Sequence, residues 1–114
     1  MESRIAKGQP VATLINVFTV DPANQQKLID VLTEATEQTM RHLPGFMSAN
    51  IHRSLDGKRV ANYAQWRSAA DFQAMLANPA VVPHMQKCRE LATYDANLYD
   101  VVYIDNPGEP DTAP

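Results

Sequence analysis

A chain of 114 residues, 45% hydrophobic and 20% charged, has room for one compact domain and none for a second. Its formal charge of −3, from 13 acidic and 10 basic residues, comes without a basic run carrying interleaved aromatics, which argues against a nucleic-acid surface. Cys88 is the single cysteine, so neither a disulfide nor a thiolate metal cluster can form within the chain, and a cytoplasmic location is the simplest expectation. No apolar run approaches the ~18 to 20 residues of a membrane span, and Met1 to Arg4 begins no apolar leader.

Thr13 to Val20 is rich in β-branched residues and places Leu14, Asn16, Phe18 and Val20 on one face against Thr13, Ile15, Val17 and Thr19 on the other. Both faces are largely apolar, which predicts a strand covered on both sides. Asp21-Pro22 supplies a capping carboxylate and a first-turn proline for a long helix with Leu28, Val31, Leu32 and Ala35 inward. Leu43-Pro44-Gly45 ends it, and His42 there offsets the helix dipole.

Phe46 to Ser54 and Lys58 to Arg67 read as the next two strands, joined through Leu55-Asp56-Gly57. A two-residue turn would set Ile51 opposite Asn62 and leave His52 on the far face. A three-residue loop with a left-handed Gly57 bulge would set Asn50 opposite Asn62 and bring His52 beside Asn62 and Trp66. The second register is expected. Ser68 and Asp71 form a capping box for a short helix with Phe72, Met75 and Leu76 inward. Asn78-Pro79 starts a further helix to about Leu91, restarted near Pro83, and Tyr94 to Ile104 is the last strand, with Tyr99, Val101 and Tyr103 on one side. The segment 106–114, with three prolines and no apolar periodicity, is expected as a flexible tail after a single domain over 1–105.

Strand, helix, strand, strand, helix pair, strand is the ferredoxin-like α+β plan: a four-stranded antiparallel sheet with helices on one face. The second face, carrying Ile15 and Val17, then needs cover, and a homodimer through the sheets supplies it.

Asn16-Val17-Phe18-Thr19-Val20-Asp21-Pro22, His42-Leu43-Pro44-Gly45-Phe46 with Ser48-Ala49-Asn50, and above all Asn62-Tyr63-Ala64-Gln65-Trp66 with Ser68 resemble the antibiotic biosynthesis monooxygenase family. The resemblance covers about Thr13 to Ile104 and is nearest to the quinone-forming oxygenases of aromatic polyketide pathways. It implies a dimeric α+β barrel with a pocket in each subunit. The implied reaction inserts one atom of dioxygen into a phenolic polycyclic substrate with no flavin, haem or metal. Asn62 and Trp66 take the family's pocket roles and His52 matches a second-strand histidine, which makes these three the catalytic candidates. Asn16, Phe72, Met75 and His84 are the substrate-binding candidates. Phe72 stands where better-studied members carry a tyrosine, and Met85 or Gln86 where they carry an arginine. A haem-degrading branch uses a strand-one asparagine, a helix tryptophan and a helix histidine; Asn16 and His84 fit, but Met75 holds the tryptophan position.

Cofactor-free oxygenation needs a substrate that can be deprotonated, stabilisation of its anion and a dry pocket. Trp66 offers a flat wall, Asn62 an amide donor, and His52 or His84 a proton acceptor near neutral pH. The histidines lack the spacing of a metal site, and the glycines form no phosphate loop or dinucleotide fingerprint. No cofactor or metal is therefore expected, and no nucleic-acid or membrane partner. A non-catalytic dimeric module binding a small hydrophobic ligand is the rival reading.

Overall fold

The computed structural model describes residues 2–108. Strands β1 (Ala12–Val20), β2 (Phe46–Arg53), β3 (Arg59–Trp66) and β4 (Ala92–Tyr99) alternate with helices α1 (Gln25–Gln38), α2 (Ala69–Leu76) and α3 (Val82–Leu91). They form one antiparallel sheet in the order β2-β3-β1-β4. This is the ferredoxin-like α+β fold. Most of the expected tail, 109–114, lies outside the described residues.

The β1 alternation decides which face the helices cover. Leu14, Phe18 and Val20 are buried, and Asn16 sits between them on the same face. Leu14 joins Ala64, Trp66, Phe72, Met75 and Val81 in one cluster; Phe18 and Val20 join Leu28, Val60 and Cys88 in a second. Burying such side chains contributes roughly 1.5–3 kcal/mol each, so the helix face of the sheet carries most of the core.

Several boundaries move. Asp21 caps a 3-10 turn at Pro22–Asn24, accepting from the Ala23 amide at 2.9 Å, and α1 starts only at Gln25. Gln25 itself turns inward, its Nε2 donating to the Ser54 and Arg59 carbonyls at 3.1 and 2.9 Å. Ser68 caps α2 as expected, accepting from the Asp71 amide at 3.1 Å while Asp71 also pairs with Arg67 at 2.9 Å. Gly45, at φ +83°, lets the chain pass against the Asp71 side chain, where any Cβ would collide. After α2, Asn78 caps only a turn, and α3 begins at Val82 with Pro83 inside its first turn. The last strand ends at Tyr99 instead of Ile104, where its pairing with β1 stops at Thr13, one residue from the start of that strand.

The hairpin register is a correction. Ile51 lies opposite Asn62 and His52 opposite Ala61, so His52 faces away from the helices and is exposed. Gly57 is left-handed at φ +80°, as expected. The loop nevertheless spans Leu55 to Lys58: the Ser54 amide donates to the Arg59 carbonyl at 3.1 Å, and the Gly57 amide to the Ser54 carbonyl at 3.2 Å. Ser54 Oγ accepts from the Arg59 amide at 2.8 Å, and Asp56 Oδ1 accepts from the Lys58 amide at 3.0 Å. These side chains satisfy amides that a shorter loop would leave to the ladder. An even-numbered loop keeps the parity of the two-residue turn, which turns His52 outward.

Candidate active site

Between the sheet and the helices lies a cavity of about 560 Å³. It is within the ~300–1,000 Å³ range of small-molecule sites. The sheet contributes Leu14, Asn16, Asn62, Ala64 and Trp66, α2 contributes Phe72 and Met75, and α3 contributes His84, Met85 and Cys88. Of the sequence-predicted site residues, Asn16, Asn62, Trp66, Phe72, Met75 and His84 all line this cavity, and His52 does not.

Trp66 is 2% exposed and held by edge-on aromatic neighbours: Phe46 at a centroid distance of 5.5 Å and 90°, and Phe72 at 6.4 Å and 68°. Such contacts are worth ~0.5–1.5 kcal/mol beyond burial, and they fix the indole plane. Asn16 and Asn62 are direct cross-strand partners, so their Cβ atoms stand about 4.5–5.5 Å apart. Asn16 Oδ1 and Asn62 Oδ1 are both buried with no hydrogen-bond partner. Leaving one buried acceptor unpaired costs ~1–3 kcal/mol. Both residues line the apolar cavity, where a hydrogen-bond donor could reach these oxygens.

His84 sits half-buried in the first turn of α3, with Nε2 2.9 Å from Thr39 Oγ1. Cys88, one turn further on, is also at the wall. Burial pushes its thiol up from the usual range, with nearby Arg89 opposing weakly, so it stays a neutral, poorly nucleophilic SH at neutral pH. Among the described residues no cluster of three or more metal-ligating side chains forms.

Some lining residues escaped sequence reasoning. Met40, in the 3-10 turn after α1, and Ala96 and Leu98 on β4 complete the cavity. Period-two alternation puts Ala96 and Leu98 on the face opposite Tyr99, with Leu98 beside Leu14. Gln65 is different: at 1% exposure it points away from the cavity and clamps the N-terminal segment, accepting from the Arg4 amide at 3.0 Å and donating to the Arg4 carbonyl at 2.8 Å.

The sequence profile of the antibiotic biosynthesis monooxygenase family matches residues 12–91, which include every cavity-lining residue outside β4. The chain belongs to that family. Over 88 residues it is 50% identical to tetracenomycin-F1 monooxygenase of Streptomyces glaucescens, covering 77% of this chain and 79% of that protein. The monooxygenase from the gene ActVA-Orf6 of Streptomyces coelicolor, solved with nanaomycin D, superposes with a TM-score of 0.75 at 30% identity, covering 85% of this chain and 92% of the other. SnoaB of Streptomyces nogalater, a cofactor-independent oxygenase, gives 0.70 at 26% identity over 89% and 100%. Monooxygenase activity on a small molecule comes with this membership. Among the described residues no helix is long and apolar enough to cross a membrane.

Proposed function

We propose that this family member oxidises a phenolic polycyclic or quinol-type substrate to a quinone, with dioxygen and no cofactor. The observation that carries the reading is the pair of unpartnered amides, Asn16 and Asn62, beside the Trp66 wall in an otherwise apolar cavity. A flat aromatic stacks on Trp66, and its hydroxyl groups donate to the unpaired amide oxygens. Asn62, free of a protein partner at its carbonyl, can turn its NH2 toward a phenolate as charge develops. His84 takes the phenolic proton. For a phenol or anthrone, the electron-rich anion then reacts with dioxygen at ring carbon: one oxygen atom becomes the new carbonyl, and the other leaves as water with the two hydrogens lost by the substrate; a quinol loses its two hydrogens to dioxygen, giving quinone and hydrogen peroxide. With His52 on the other face, Asn62, Trp66 and His84 are the proposed catalytic group, and Asn16, Phe72 and Met75 the binding group. The names of the tetracenomycin and nanaomycin-bound relatives support an aromatic polyketide over haem, and Met75 offers haem no tryptophan.

The working unit in this proposal is a homodimer in the cytoplasm, each copy a single domain over 1–105. Ile15, Val17 and Tyr63 lie half-buried on the sheet face away from the helices, and Val102 and Tyr103 stand 85% and 75% exposed beyond β4. A second copy is the cover that suits this apolar surface.

Oxygen consumption with anthrone and hydroquinone substrates in chelator-treated buffer tests the reaction. Turnover is expected, with Trp66→Phe and Asn62→Ala each slower by about tenfold or more, equivalent to about 1.4 kcal/mol of transition-state stabilisation. An intact wild-type protein that binds these compounds without turnover is instead a ligand-binding module.

A further inference from the structure

Asn62, Ala64 and Trp66 are alternate residues of β3 and share the face turned to the cavity, which all three line. Four steps along the strand separate the amide from the indole, about 13 Å at the usual rise per residue. On β3 only Ala64 stands between them on that face. It is 2% exposed, and its cross-strand neighbour on β2 is Ala49, a second cavity-lining alanine. On its other side Ala64 pairs with Leu14 of β1, which in turn pairs with Leu98 of β4. Across the sheet at this level the side chains therefore run Ala49, Ala64, Leu14, Leu98: two that end at Cβ, then two that rise above it. The low half of the floor lies along β3 between Trp66 and the Asn16–Asn62 pair, with Leu14 as its side wall. Trp66, Phe72 and Met75 pack in the same cluster as Ala64, so at this level the room comes from the two alanines.

We propose that Ala64 is a specificity-determining residue: because its side chain ends at Cβ, Trp66 and the asparagine pair share one uninterrupted floor, and a flat fused-ring ligand reaches both while a single ring does not. This rests on the reading of the cavity as the site of an aromatic substrate. A single ring against Trp66 leaves the unpaired oxygens of Asn16 and Asn62 without a donor, and a single ring against the asparagines loses the indole. A fused-ring phenol makes both contacts as one rigid body, with no rotatable bond to order between them. A longer branched side chain in place of Ala64 would rise into the path, and its penalty would fall on the ligands that cross it.

Calorimetric titration with phenol, naphthol and anthrol under nitrogen tests this without turnover, since each carries one hydroxyl and they differ in ring number. The loss of affinity in Ala64→Leu should grow with ring number, from about twofold for phenol to about tenfold or more for anthrol, with Ala64→Val between wild type and Ala64→Leu. Ala49→Leu, on the neighbouring strand, should act in the same direction, and it carries the test if Ala64→Leu does not fold. A loss equal for all three ligands, or an unchanged affinity for anthrol, overturns the proposal. Oxygen consumption with the same compounds separates it from the reading on which it rests. Anthrol bound in an Ala64-dependent way but not oxidised removes the oxidation and leaves the size selection standing. Turnover in which Ala64→Leu keeps the wild-type preference among the three compounds removes only the role of Ala64, and a wild type that binds none of them removes both.

Discussion

A carboxamide carbonyl buried without a donor lowers stability, and Asn16 and Asn62 place two of them next to each other. Side chains kept at a cost to folding mark places where something other than folding is served. The isosteric change Asn16→Leu removes an unpaired acceptor and leaves an apolar wall. It should raise stability by about 1 kcal/mol, read as an upward shift of a few degrees in thermal unfolding, while substrate affinity falls. A lower melting temperature would mean that Asn16 has a structural partner after all. The amides were legible in the strand alternation, which put Asn16 and Asn62 on the Leu14 and Trp66 face. Their lack of partners was not, because a side chain's hydrogen bonds depend on what folds over it.

At the scale of elements, the hairpin between β2 and β3 decided more than any single residue. Gly57 and Asp56 announced a turn correctly, but the fate of His52 rested on loop parity. Hydrogen bonds that Asp56 and Ser54 accept from the Lys58 and Arg59 amides settled that parity. Their electrostatic trace is testable. The Lys58 amide and the Ser54 hydroxyl hold the Asp56 carboxyl below its usual 3.8, with Arg59 and Lys58 adding to the same direction. A depressed folded-state value means a stabilising contribution that is present above the unfolded value and lost as pH falls through the folded one. Asp56→Asn should therefore flatten the dependence of melting temperature on pH below about pH 4. Parallel curves for variant and wild type would show that the carboxylate contributes nothing to the loop. Asp71 shows the same direction, from its bond to Arg67 first and Ser68 second, at the start of α2. There the capping box was readable in sequence, because both partners lie within one turn of helix.

For the whole molecule, the sheet has one face under the helices and another only partly covered. Residues Ser3 and Arg4 cross that second face, with Ser3 Oγ accepting from Asn50 Nδ2 at 2.6 Å and Gln65 gripping the Arg4 backbone. In the proposed dimer, Ile15 and Val17 are the part of this face that the second copy covers. Val17→Asp introduces a charge into that contact, opposite Ala61 on β3 and Asp95 on β4. It is expected to give monomers by light scattering at concentrations where the wild type is dimeric, since a buried unpaired carboxylate costs several kcal/mol. A variant as dimeric as wild type would place the interface elsewhere. The molecule measures 44 × 33 × 21 Å with a radius of gyration of 15.0 Å, against about 13 Å for a compact chain of this length. The segment after β4, with Val102 and Tyr103, stays exposed.

Local chemistry in the chain was enough to determine the existence of the four strands, the Ser68 cap of α2, the order of elements and the face on which Asn62 and Trp66 lie, because period-two and helical alternation and capping pairs act within a few residues of themselves. Tertiary structure alone decided that His52 leaves the cavity, that Gln65 serves the N-terminal segment, that Thr39 meets His84 and that the two asparagine oxygens remain unpaired. Each of those outcomes depends on contacts between residues far apart in the chain, and on a loop whose parity is set by side-chain hydrogen bonds that no periodicity records.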